Sequence, residues 1–143
     1  MANQLPRGAK LLFRVHKTVY RLSGGVIGHR LSPSLRCLLL TTTGAKSGLA
    51  RVSPLVYGRD GSNIVLIASQ GGTDKNPTWL HNLRANPQVH IQVGRHHQTM
   101  TAREANPEER PRLWQLMTRI YGGYDGYQQK TSRQIPIVVL EPV

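Results

Sequence analysis

Three short stretches hold residues whose types and spacing suit chemistry. The first is Thr41-Thr42-Thr43-Gly44-Ala45-Lys46-Ser47-Gly48, with Arg51 three residues beyond the second glycine. Glycine lets backbone N–H groups come close to a ligand, and Lys46 and Arg51 bring positive charge to the same corner. That combination suits an anion cradle; it equally suits a hairpin turn with solvated bases. The second runs from Ser69 through Gln70, Gly71 and Gly72 to Pro77, Thr78 and Trp79. It reads as a glycine-containing loop followed by a helix start, whose N–H groups attract anions. The indole of Trp79 would either cover a flat ring or anchor the core. The third is Tyr121, Tyr124 and Tyr127, interleaved with Gly122, Gly123 and Gly126. Each phenol can donate a hydrogen bond or a proton. So many glycines disfavour a regular helix, which points to a moving aromatic lid; the alternative is three rings packed on the body of the protein.

An anion clamp, a flat-ring surface and a tyrosine lid together describe a pocket for a phosphorylated planar cofactor. They fit nucleic acid less well, because such binders set aromatics on an exposed sheet to stack bases. Phe, Tyr and Trp total only eight here. Other signatures are absent. The Gly44 to Gly48 turn lacks phosphate-loop spacing, and Gly24, Gly25 and Gly28 make no dinucleotide fingerprint. No esterase nucleophile elbow occurs. The histidines, His16, His29, His81, His90, His96 and His97, are scattered. The one close pair in sequence is adjacent and so points to opposite faces of a strand, and no metal site is expected. Cys37, the single cysteine, lies in an apolar run and reads as core.

The elements that must position these stretches follow from patterning. Leu35 to Thr42 reads as a buried strand, Ala50 to Tyr57 as a second, with Pro54 marking an edge or bulge. Arg59 to Ser62 is a hairpin turn, and Asn63 to Ser69 is an apolar, central strand. Pro77 opens a short helix to Ala85. Val89 to Val93 alternates as a strand with one wet face, and Gly94 turns it into a paired strand from Arg95 to Glu104. Asn106-Pro107-Glu108-Glu109 is a helix start with Asn as cap and Glu at the third position. That helix runs to about Tyr121. Ile135 to Glu141 is the last strand. About six strands and three helices result. Their short connections demand a mainly antiparallel sheet, for which a small β-barrel decorated with helices is the natural form.

The chain has 143 residues, which predicts one domain. Its 19 Lys and Arg against 7 Asp and Glu give a net charge of +12, which points to a polyanionic partner. Lys10, Arg14, Lys17 and Arg21 fall on one stripe of an amphipathic helix from about Gly8 to Leu22. Such a helix either lies on an anionic membrane or packs its apolar stripe on the core. The longest apolar run, Ile64 to Ala68, is too short to span a bilayer. With no secretory pattern at its start, the chain is expected to be soluble and intracellular.

From about residue 35 to 143 the sequence resembles the deazaflavin (coenzyme F-420)-dependent nitroreductases, also called quinone reductases. The resemblance rests on Leu38-Leu39-Leu40-Thr41-Thr42-Thr43-Gly44, then Lys46, Gly48, Arg51 and Pro54-Leu55. It continues through Asp60-Gly61, Ala68-Ser69, Gly71-Gly72, Lys75-Asn76-Pro77, Trp79, Asn82-Leu83 and Ala85-Asn86-Pro87. Thr101-Ala102-Arg103, Glu108-Glu109-Arg110 and Ile135-Pro136-Ile137-Val138-Val139 complete it. The resemblance implies a mainly β, α+β fold: a split β-barrel like the flavin-binding one, behind an N-terminal helical extension (residues 1–24). It implies hydride transfer from reduced deazaflavin to an acceptor such as a quinone, with nitroaromatic reduction as a side activity. It implies that Lys46, Ser47 and Arg51 hold the cofactor's phosphodiester and oligoglutamate tail. Pro54, Leu55, Val56, Ile67, Ala68 and Trp79 would line the ring, and Ser69, Gln70, Thr78 and Asn82 would make its polar contacts. Tyr121, Tyr124 and Tyr127, with Trp79, would meet the substrate, and Ser69, Tyr124 and Tyr127 would act in catalysis. Ala45 and Gln70 depart from the family by replacing cations, and Val56 by replacing an aromatic. A quinone acceptor would give the basic helix a reason to touch the inner face of the plasma membrane. The rival readings are a barrel using flavin mononucleotide, a basic module on RNA or anionic membrane, and a protein that stores deazaflavin without turnover.

Overall fold

The computed structural model describes residues 35–143; the expected basic helix of residues 8–22 lies outside them, as do His16 and His29. The strands are β1 (Cys37–Thr43), β2 (Ala50–Val56), β3 (Gly58–Asp60), β4 (Asn63–Ile67), β5 (Gln88–Val93), β6 (His96–Glu104) and β7 (Ile137–Pro142). The helices are α1 (Thr78–Ala85), α2 (Arg110–Ile120) and α3 (Gly123–Gln129), with a single 3-10 turn at Gln70–Gly72. The strands form one sheet in the order β2-β1-β5-β6-β7-β4-β3. Every pairing is antiparallel, as the short connections require.

The described residues hold seven strands rather than about six. The extra one arises because the chain turns a corner after β2 and pairs Gly58–Asp60 with β4. A Cβ on Gly58 would fall 2.6 Å from the Met117 sulfur, so the missing side chain lets α2 come close at that corner. β4 is not central either. It is second from an edge, and its apolar run reflects burial of both faces rather than a middle position. Pro54 does lie on an edge strand, where its missing N–H breaks no ladder.

Strand alternation splits the apolar residues into two cores. Ile64 and Leu66 face inward with Leu38, Leu40, Val89, Ile91, Val138 and Leu140, and α1 adds Trp79, Leu80 and Leu83. Val65 and Ile67 face the other way, against Ile137, Val139, Leu113, Met117 and Tyr124. The sheet thus curls into a half-barrel around the first core, while α2 and α3 cover the back of β4 and β7. The start of α2 is tied as its sequence predicts. Asn106 Oδ1 accepts from Glu109 N (2.9 Å), and Glu109 Oε1 accepts from Asn106 N (3.0 Å). No helix among the described residues is long and apolar enough to cross a membrane.

Candidate functional site

The turn between β1 and β2 is built on one buried amide. Asn82 of α1 is 4% exposed. Its Oδ1 accepts from the Ala45 N–H (3.0 Å), and its Nδ2 donates to Thr42 Oγ1 (3.1 Å). The turn is closed by Gly44 N–H to Leu49 O and Gly48 N–H to Gly44 O, at 2.8 and 2.9 Å. Ser47 Oγ accepts from Leu49 N–H (3.2 Å). Lys46 and Arg51 stand exposed on this frame with no carboxylate partner among the described residues. Beyond them, Pro54, Leu55 and Val56 are half-buried on the open edge of the sheet. Alternation divides these three. Leu55 pairs with Leu38 and packs on the inner core, whereas Pro54 and Val56 pair with Leu39 and Cys37 on the opposite face. One flat ring would meet all three only along the strand edge.

The second stretch leaves β4 and makes a left-handed corner. Gln70 has φ +43°, Gly71 +67° and Gly72 +82°. Glycine takes such values freely, but glutamine does so at a cost of about 1 kcal/mol or more, so the corner must be held from outside. Gly72 N–H donates to Ser69 O and Thr73 N–H to Gln70 O. A Cβ on Gly72 would fall 2.7 Å from the Tyr127 carbonyl oxygen, so the α3 backbone is packed directly on this loop. Thr131 Oγ1 donates to Asp74 Oδ1 (2.7 Å). Arg133 belongs to no motif in the sequence, yet its guanidinium donates to the carbonyls of Ala68, Ser69 and Thr73 and to Asn76 Oδ1.

The tyrosines are a packed cluster and not a loose lid. Despite its glycines, Gly123–Gln129 is helical. Gly123 is required there, since a Cβ on it would fall 2.4 Å from the Tyr121 ring. Tyr121 and Tyr127 join hydroxyls at 2.9 Å, and Tyr124 meets Tyr121 edge-on at 5.0 Å between centroids. Tyr124 is 5% exposed, and burial pushes its phenol well above the ordinary range. The bond from Tyr127 raises Tyr121 as well.

The structure therefore joins all three stretches. Asn82 fastens the first turn to α1, and Gly72, Asp74 and Arg133 fasten the loop to the tyrosine segment. Ser47, Gln70 and Thr78 are exposed and Ser69 is half-buried. Five expected contact residues are buried instead: Ile67, Ala68, Trp79, Asn82 and Tyr124. Ile67 and Ala68 alternate into the two cores, and Trp79 packs in the inner one. The Asn82 amide is spent on the turn, and Tyr124 fills the centre of the cluster. These side chains form the walls and struts of the site rather than its free surface.

The histidine reading also changes. His90 and His97 lie diagonally across the β5–β6 hairpin, with Nε2 and Nδ1 at 3.2 Å. The turn at Gly94 fixes that register, so the pair is not one of sequence neighbours. It lines a cavity of about 330 Å3 with Leu39, Thr41 and Gln92. Leu39 and Thr41 point away from the inner core, and this cavity includes none of the three stretches except Thr41.

The chain matches the sequence model of the F420H2-dependent quinone reductase family over residues 12–142. It is 44% identical over 132 residues to a Mycobacterium tuberculosis protein named as an F420H2-dependent quinone reductase, covering 90% of this chain and 89% of that one. A solved F420-H2 dependent reductase superposes with a TM-score of 0.69 at 42% identity, over 73% of this chain and 93% of that one. A second solved structure, described as a domain-swapped dimer, superposes at 0.71 with 38% identity, over 91% of this chain and 98% of that one. The split-barrel fold agrees with these likenesses, and the chain belongs to the F420H2-dependent quinone reductase family, as an oxidoreductase that works with coenzyme F-420.

Proposed function

We propose that the chain, as one domain over residues 1–143, catalyses hydride transfer from reduced coenzyme F-420 to a quinone, with nitroaromatic or enone compounds as further acceptors. The observation that carries this reading is the pairing of two exposed cations, Lys46 and Arg51, which have no carboxylate partner among the described residues, with the half-buried apolar edge Pro54–Val56 beside them. That arrangement fits a molecule with an anionic tail and a flat apolar ring. When bound, the reduced deazaflavin supplies the hydride.

The chain's own residues have four tasks. Lys46 and Arg51 attract and hold the phosphodiester and the carboxylate tail by charge-assisted hydrogen bonds. Gly44 and Ser47 keep the turn closed, so those cations start from a fixed frame. The edge of β2 gives the ring an apolar seat, and Ser69, Gln70 and Thr78 offer polar contacts at its other side. Tyr121 and Tyr127, half-buried and already hydrogen-bonded to each other, present phenols to the acceptor side. A phenol can donate a hydrogen bond to the acceptor oxygen as charge develops on it, and then its proton. Tyr124, buried behind them, sets their spacing. The protein thus contributes mainly positioning.

Titration of the full chain with F-420 and, separately, with flavin mononucleotide tests this, read by quenching of Trp79 and Trp114. Saturable binding of F-420 that weakens with added salt is expected. Binding of the flavin alone would transfer the chemistry to that cofactor. Binding of neither would leave the basic surface to RNA or lipid.

We also propose a cytoplasmic protein that touches the inner face of the plasma membrane. The net charge of +12 and the lipid solubility of quinones support this. Co-sedimentation with anionic but not neutral vesicles, reversed by salt, is the expected result; equal behaviour with both vesicles would remove the proposal.

A further inference from the structure

We infer that Arg133 is a positioning residue for the candidate site, because its single guanidinium gathers the carbonyls of Ala68, Ser69 and Thr73 and so turns the Ser69 and Gln70 N–H groups outward. The inference rests on the reading of Ser69 and Gln70 as cofactor contacts. Nε donates to Thr73 O at 2.8 Å. Nη1 donates to Asn76 Oδ1 at 2.8 Å and to Ala68 O at 3.3 Å. Nη2 donates to Ser69 O at 2.8 Å and to Ala68 O at 3.3 Å. Every nitrogen of the fork is therefore committed to the one loop. No carboxylate lies within ion-pair distance of Arg133 among the described residues; the nearby Asp74 is held by Thr131. The role is thus neither a salt bridge nor a ligand contact.

The consequence follows from peptide geometry. All described peptide bonds are trans, and in a trans peptide the C=O and the next N–H point in opposite directions. Holding the Ala68 and Ser69 carbonyls toward Arg133 aims the Ser69 and Gln70 N–H groups away from it. Neither N–H has a partner among the described residues. Such an outward pair of donors suits an electron-rich carbonyl or an anion. The corner also contains the left-handed Gln70, a conformation that persists only where its surroundings impose it. Arg133 comes from 64 residues away in sequence and imposes it through a planar, rigid fork that lysine does not reproduce.

Arg133→Ala and Arg133→Lys, each made in the full chain, test this. The readouts are F-420 affinity, KM for reduced F-420, KM for the quinone and melting temperature. The expected result is an affinity loss and KM rise for F-420 of about tenfold in the alanine variant and about threefold in the lysine variant. KM for the quinone should stay unchanged, and millimolar guanidinium ion should restore part of the alanine variant's affinity. A role confined to the fold would lower the melting temperature and leave KM of the surviving protein where it was. A folded alanine variant that binds F-420 within twofold of the unmodified chain would overturn the inference. Should that variant fail to fold, unchanged affinity in Arg133→Lys would overturn it. Failure of the unmodified chain to bind F-420 would overturn the reading of the site itself, and the inference with it.

Discussion

The two loops at the candidate site are held in opposite ways. The turn at residues 44–49 is fastened to α1 by one neutral amide, Asn82, and leaves its cations, Lys46 and the neighbouring Arg51, exposed and without a carboxylate partner among the described residues. The loop at residues 69–76 carries one exposed cation, Lys75, and is gripped by a second from outside it, Arg133, whose guanidinium is committed to backbone carbonyls and to Asn76. The first loop thus offers a ligand cationic side chains, and the second offers the peptide N–H groups of Ser69 and Gln70 beside the exposed Lys75. Flexible cations suit a long anionic tail that must be found and held. Fixed peptide dipoles suit a ring that must be oriented, because they need no rearrangement when it arrives.

The largest effect is expected where a substitution drives backbone against backbone, and smaller ones where it removes a contact. Gly72→Ala combines a φ of +82° with a Cβ 2.7 Å from the Tyr127 carbonyl. A loss of about 3 kcal/mol in stability is expected from denaturant unfolding, since the clash is with backbone and cannot be relieved by a rotamer. Lys46→Ala with Arg51→Ala should cost about 2 kcal/mol in F-420 affinity, roughly thirtyfold. Stability should hold within about 0.5 kcal/mol, because both groups are exposed. The salt dependence of binding should flatten at the same time. Asn82→Ala is expected to lose about 1.5 kcal/mol of stability, because the Ala45 N–H and Thr42 hydroxyl are left without their partner. Unchanged stability would mean that the turn holds itself.

The smallest effect separates packing from proton donation. Tyr124→Phe removes a buried hydroxyl and should change stability by less than about 0.5 kcal/mol near neutral pH. The sign of its pH dependence is fixed. Burial raises the folded phenol above its unfolded value of about 10. Its stabilising effect is therefore complete below pH 10 and is lost as pH rises through the folded value, and the phenylalanine variant should lack that alkaline loss. Turnover should barely move. A large fall in turnover would return Tyr124 to the role of proton donor.

Much of this arrangement is legible in the chain. Leu35–Thr42, the Gly94 turn and the Asn106–Glu109 cap are local patterns, and β1 (Cys37–Thr43), the β5–β6 hairpin and the tie at the start of α2 lie at those places within a residue or two. α3 is not legible because two of its seven residues, Gly123 and Gly126, lower helix propensity, whereas packing of Tyr124 in a cluster with Leu113, Met117 and Ile137 outweighs that cost. β3 was missed because a three-residue strand carries no periodicity. Arg133 is a lone base between Ser132 and Gln134, and the partners of its guanidinium lie 57 to 65 residues away. The cross-strand meeting of His90 and His97 follows from register, which distance along the chain does not reveal.

The central claim is that this frame supports hydride transfer from F-420 to a quinone. Anaerobic mixing of the full chain with excess reduced F-420 and a water-soluble quinone tests it most directly, with both products quantified. One quinol formed for each deazaflavin oxidised, at a rate proportional to enzyme, is the predicted result. Tight binding of reduced F-420 with no quinol formed would contradict the claim and leave a protein that holds the cofactor without using it.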